Sequence, residues 1–127
     1  VAGVEYLFTI PSGVLFEIIC LSFTFTTDAN VADRFIALQI EDPGGDIYFK
    51  SLLPAPLVAS GTNQISFGAG YAHPSQGDAH KPTTGSWPVH LLIPGPHIIS
   101  ITVANIQAAD AITDIRGWFH ERIITRV

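Results

Sequence analysis

The stretch VLFEIICLSFTFTT, Val14–Thr27, is rich in β-branched and aromatic residues, and its second half sets Leu21, Phe23 and Phe25 against Ser22, Thr24 and Thr26. Alternation with a period of two is the mark of a strand with one face in a core. The flanking segments extend the pattern. DRFIALQIE (Asp33–Glu41) is strand-like and runs into DPGGD (Asp42–Asp46), where proline presets one φ and glycine supplies a positive one, so a tight turn is expected. IYFKSLL (Ile47–Leu53) then returns as the second arm of a hairpin, which PAP (Pro54–Pro56) ends.

A short strand is expected around Gln64–Phe67. After it, PGP (Pro94–Pro96) separates two apolar arms, VHLLI and HIISITVANI, which read as a second hairpin. Ile99, Ile101 and Val103 alternate with Ser100, Thr102 and Ala104. The last segment, AITDIRGWFHERIITRV, has mixed faces, as expected where one of them meets a neighbour. No capped helical stripe occurs, and QAAD (Gln107–Asp110) has room for one turn at most. About eight strands at irregular spacing predict an all-β fold, an antiparallel, jelly-roll-like β-sandwich, as a single domain over 1–127.

Composition narrows the function classes. Only 13% of the 127 residues are charged, 47% are hydrophobic, and mean hydropathy is +0.36. Such a weakly charged surface predicts association with other subunits. The net charge of −5, with scattered basic residues, offers no stripe for a phosphate backbone, so no nucleic-acid partner is expected. No apolar run reaches the roughly 20 residues of a membrane helix, and no membrane association is expected. Cys20 stands alone in IICLSF and reads as a small buried hydrophobe.

The stretch from Gly70 to Pro88, GYAHPSQGDAHKPTTGSWP, has no hydrophobic period and reads as a long loop. His73, Asp78 and His80 are weak metal candidates, because the two histidines are seven apart with proline and glycine between them and lack the close spacing that fixes ligand geometry. No metal or other cofactor is expected. Catalysis is not expected either. There is no Gly-x-Ser-x-Gly elbow, and the carboxylates Glu17, Glu41, Asp42, Asp46, Asp110, Asp114 and Glu121 read mostly as turn or strand-edge residues. Trp87 reads first as a residue closing one end of the core and second as an interface anchor or sugar platform. Trp118 and Phe119 are adjacent, so one should face the core and the other solvent or a neighbour. The interface candidates are Tyr71, His73, His80, Trp87, Trp118 and Phe119.

Several of these features resemble a group of small β-sandwich virion proteins of tailed bacteriophages. They are the strand ending Thr-Asp-Ala that leads into an Asn/Asp-Arg strand (TTDANVADRF, Thr26–Phe35), the LLIPGPHII segment, the ANIQAAD turn and the final RGWFHERI strand. The likeness covers most of the chain except Gly70–Pro88. It implies a non-enzymatic virion protein that decorates or stabilises a capsid, or forms a spike. Its partners would be itself, as a homo-oligomer with a trimer expected, and the major capsid or another virion protein, with attachment to capsid or tail left open. The alternative is a carbohydrate-binding module of the same fold, with Tyr71, Trp87 or Trp118 as stacking platforms and Asp78 or Asn63 as hydrogen-bonding partners.

Overall fold

In the computed structural model, residues 3, 5–70 and 83–124 are described, with the side chain of Tyr48 left aside. These residues form an all-β sandwich of nine strands: β1 (Tyr6–Thr9), β2 (Val14–Thr26), β3 (Phe35–Glu41), β4 (Ile47–Leu52), β5 (Thr62–Ala69), β6 (Thr83–Trp87), β7 (Ile93–Pro94), β8 (Ile98–Ala104) and β9 (Ala111–Ile123). A four-stranded sheet runs in the order β1-β8-β3-β4. It faces a five-stranded sheet in which β2 is central, with β5, β6 and β7 on one side and β9 on the other. Near both ends the chain passes from sheet to sheet at successive strands, as in a jelly roll. The middle departs from that rule, because the β3–β4 hairpin stays in one sheet and β5–β6 stays in the other.

The hairpin at Asp42–Asp46 forms as expected. The Asp42 side chain accepts from the Gly44 and Asp46 amides, and Gly45 carries the positive φ of 94°. The expected hairpin around PGP does not form. Most of VHLLI lies outside any strand, and its end, Ile93–Pro94, pairs with Leu15 and Phe16 of β2, whereas β8 pairs with β1 and β3. Ile93 of the first arm is buried with one sheet, and Ile99, Ile101 and Val103 of the second with the other, a long-range choice that local patterning does not encode. The antiparallel expectation has one exception, the parallel β5–β6 pair, and its second strand, Thr83–Trp87, occupies the end of the stretch read as a loop over 70–88.

Strand β2 changes face along its length. Val14, Phe16 and Ile18 are buried, and so are Leu21, Phe23 and Phe25. The register against β9 slips between Ile18 and Cys20, so one extra residue moves the inward set from even to odd positions. The bulge puts Cys20, expected in the core, half-buried on the outer face of the sheet, 3.4 Å from the Ser66 hydroxyl.

Between the sheets the core gathers Phe16, Ile18, Leu21, Phe23 and Phe25 of β2 against Ile36, Leu38 and Ile40 of β3 and Ile99, Ile101 and Val103 of β8. The PGP turn sits against the start of this core. A Cβ on Gly95 would lie 1.9 Å from the Pro11 carbonyl oxygen, and the Gly95 amide donates to Val14 at 2.9 Å. Gly95→Ala is therefore expected to cost about 1–3 kcal/mol, since backbone rather than a movable side chain blocks the added methyl. A urea midpoint equal to that of the parent protein would show that the two segments can separate without loss.

Candidate functional site

The two lateral edges of the sandwich differ, and that difference sorts the candidate aromatics. At one edge, β4 and β6 close the gap between the sheets. Phe49 and Trp87 pack edge to face with centroids 5.2 Å apart, and the Ser51 hydroxyl donates to the Ser86 carbonyl. Trp87 is 2% exposed, so of its two sequence readings the core closure holds, and the indole is not available to a partner or a sugar. Its position in β6 points it inward, between Ser86 and the turn that follows.

The other edge, bounded by β1 and β9, is less complete. Tyr6, Phe8, Phe16 and Phe119 line an apolar cleft of about 190 Å³. Phe119 sits opposite Ile18 and packs on Phe16 with centroids 4.8 Å apart, yet it remains 41% exposed. Trp118 points the opposite way, opposite Cys20 on the outer face, and is 77% exposed. Adjacent strand residues thus divide between an inner and an outer face, with Phe119 at the rim of the core rather than inside it.

Strand β9 pairs with β2 over its whole length, and among the described residues it has no strand on its other side. Its side chains from Arg116 to Ile123 are exposed, Ile123 to 77%. Asp114, at a φ of 53°, forms a second register shift opposite Ser22 and Thr24. A bulge twists and blunts an edge locally, so the first part of β9 is shielded from pairing, while Arg116–Ile123 carries no extra residue of its own, the other register shift having its extra residue, Ile19, on β2. The outer face beside it carries two adjoining hollows of about 330 and 440 Å³ that share Cys20, Ser22 and Arg116. Asp114 and Gln64 line the first and Trp118 the second.

A buried ionic network roots β9 at its start. Arg34 and Asp110 are both fully buried. Arg34 Nε donates to Asp110 Oδ2 at 2.9 Å, and Nη2 donates to Asp110 Oδ1 at 3.0 Å and to Asp28 Oδ1 at 2.8 Å, while Nη1 donates to the Ala32 carbonyl at 2.7 Å. The Asp110 carboxylate also accepts from the Asp28 and Gln107 amides, each at 2.8 Å. These are the polar residues of the TTDANVADRF and ANIQAAD stretches, which the fold brings together. The hydrogen bonding it donates to Asp110 is the main influence holding the Arg34 guanidinium above its ordinary pKa. Burial alone would push the Asp110 carboxyl up, but Arg34 and the two amides together hold it below the usual carboxylate range. With every acceptor engaged, Asp110 locks a turn and is not placed as a general acid or base.

Glu17 lies on the outer face between two imidazoles, with His90 Nδ1 at 3.5 Å and His120 Nδ1 at 3.4 Å. His97 Nδ1 lies 2.7 Å from the Pro94 carbonyl oxygen. No group of three or more His, Cys, Asp or Glu residues arranged to hold a metal ion occurs among the described residues. Tyr71, His73, Asp78 and His80 lie outside the described residues. The structure thus brings Trp118 and Phe119 together on one edge strand and sends Trp87 to the opposite edge. Sequence reasoning missed the charged network because its members are far apart in the chain, although Arg34, an arginine at the head of an apolar strand, was the available signal. Comparison with protein-family models, with curated proteins and with solved structures finds no match for this chain.

Proposed function

We propose that the chain is a non-enzymatic structural protein that decorates or stabilises a phage particle, working through homo-oligomeric contacts and contacts to a capsid or other virion protein. The observation that carries this reading is the run Arg116–Ile123 of β9, which has β2 on one side and, among the described residues, no strand on the other, with Trp118 and Ile123 each 77% exposed. An open edge with large apolar side chains is a surface that natural proteins protect unless a neighbour covers it. The low charge of the chain and the phage resemblance of its turn motifs support the same reading. On a particle, repeated weak contacts gain strength from multivalency.

A second reading, a carbohydrate-binding module, is favoured by one feature: Trp118 stands beside hollows lined by Arg116, Asp114 and Gln64, an aromatic platform next to polar groups. Antibodies against the purified chain should label intact virus particles from the sequence's source at regularly repeated positions under the electron microscope. Unlabelled particles would overturn the virion reading. Specific signals on a glycan array that disappear in Trp118→Ala would favour the second.

A further inference from the structure

We propose that the outer edge of β9 pairs with the same edge of a second copy, antiparallel about a two-fold axis at Trp118, so that two five-stranded sheets become continuous. The proposal deepens the oligomeric reading above and rests on it. Its geometry follows from the register with β2. Arg116, Trp118, His120 and Arg122 oppose the outward Ser22, Cys20, Glu17 and Leu15, whereas Gly117 and Phe119 oppose the inward Leu21 and Ile18. In an antiparallel homodimeric sheet the axis is perpendicular to the sheet, so directly opposed residues must share a face. Only registers centred on a residue satisfy that condition.

Charge and burial then separate the register centred on Trp118 from its two neighbours. Centred on Trp118, Asp114 of each copy opposes Arg122 of the other, giving two opposite-charge pairs. The side chain of Asp114 is on the outer face, where it lines the same hollow as Arg116, and Arg122 shares that face through its pairing with Leu15. Centred one residue later, on Phe119, Arg116 would oppose Arg122 on both sides of the axis, a like-charge arrangement that is destabilising. Centred one residue earlier, on Gly117, Arg122 would oppose Ile112, which is 9% exposed, and the bulge at Asp114 would enter the paired stretch closer to the axis. The Trp118 register also places Gly117 across from Phe119. A Cβ on Gly117 would lie 2.0 Å from Cζ of its own Phe119, so that ring folds over a position kept free of side chain. An aromatic opposite an edge glycine is a recognised device for pinning register.

The test combines mass with site-specific cross-linking, in a Cys20→Ser background because Cys20 directly opposes Trp118 on β2. Trp118→Cys places two thiols across the axis, within the Cα separation of about 4.4–6.8 Å that a disulfide requires. Oxidised glutathione, accepting the two electrons, should link most of the chains into dimers. Arg116→Cys and His120→Cys should stay unlinked, since each thiol would be four residues from its symmetry mate, about 13 Å along the strand. All three side chains are exposed, and sedimentation of the unsubstituted chain should give the mass of two copies. Equal or greater cross-linking at 116 or 120 would overturn the register. A trimer would overturn the two-fold pairing while leaving the oligomeric reading intact, and a monomer at every concentration would remove both.

Discussion

Arg34→Met is expected to cost about 3–5 kcal/mol of folding stability, the range for stranding a buried charge by removing its partner. The substitution keeps much of the apolar stem but leaves the Asp110 carboxylate, fully buried, with only the amides of Asp28 and Gln107 to hold it. It also frees Asp28 and the Ala32 carbonyl, which the guanidinium ties to the same point. Urea unfolding measures the effect. Lys50→Met, at an exposed position, provides the comparison and should change stability by no more than about 0.5 kcal/mol. If the two substitutions behaved alike, the network would not be the anchor of the β8–β9 turn that its geometry describes.

The same network sets an acid limit. The folded-state pKa of Asp110 is depressed, so its contribution is fully present above the unfolded-state value, near pH 4. It is lost as pH falls through the lower folded value, because the unfolded chain takes up the proton first. Arg34 works in the opposite direction. Its raised pKa gives a contribution that is present below the ordinary arginine value and lost only as pH rises through the folded one, so it does not vary across the neutral range. The parent protein should therefore lose stability on acidification below about pH 4, and Arg34→Met should show a shallower loss over that interval.

Trp87→Ala is expected to cost about 3–5 kcal/mol, as for other buried aromatic-to-alanine changes, whereas Trp87→Phe, which removes fewer buried atoms and leaves a smaller void, should cost clearly less. The indole is 2% exposed and packs edge to face on Phe49, so truncation opens the β4/β6 edge. Among the described residues Trp87 Nε1 has no hydrogen-bond partner, so phenylalanine gives up no bond and removes an unsatisfied buried donor. Thermal or urea unfolding of the two variants separates packing from hydrogen bonding. Equal, large losses would mean that the N–H is engaged. A loss of ligand binding in Trp87→Ala would report damaged packing and not a sugar platform, which makes Trp118 the aromatic to substitute when carbohydrate binding is tested.

The candidate site was legible in the sequence only in part. That Trp118 and Phe119 must part to opposite faces follows from their adjacency in a strand, and the mixed faces of the last segment pointed to a neighbour. Which ring is at the core rim depended on the register of β9 against β2, set by two bulges that displace the pairing by one residue each. Trp87 carried the same aromatic signal as Trp118, but the parallel placement of β6 beside β5 and the approach of β4 buried it.

Alternation and turn chemistry, which act over a few residues, made the all-β class, the strand character of β2, β3, β4, β5, β8 and β9, and the Asp42–Asp46 turn legible in the sequence. The tertiary structure alone decided the rest. It split the PGP arms between sheets, turned Cys20 outward, joined Arg34 to Asp110 across 76 positions, and put β9 at an edge of the five-stranded sheet. Those outcomes depend on which strands neighbour one another and in what register. That choice is made by burying the whole apolar set at once, and no local window contains it.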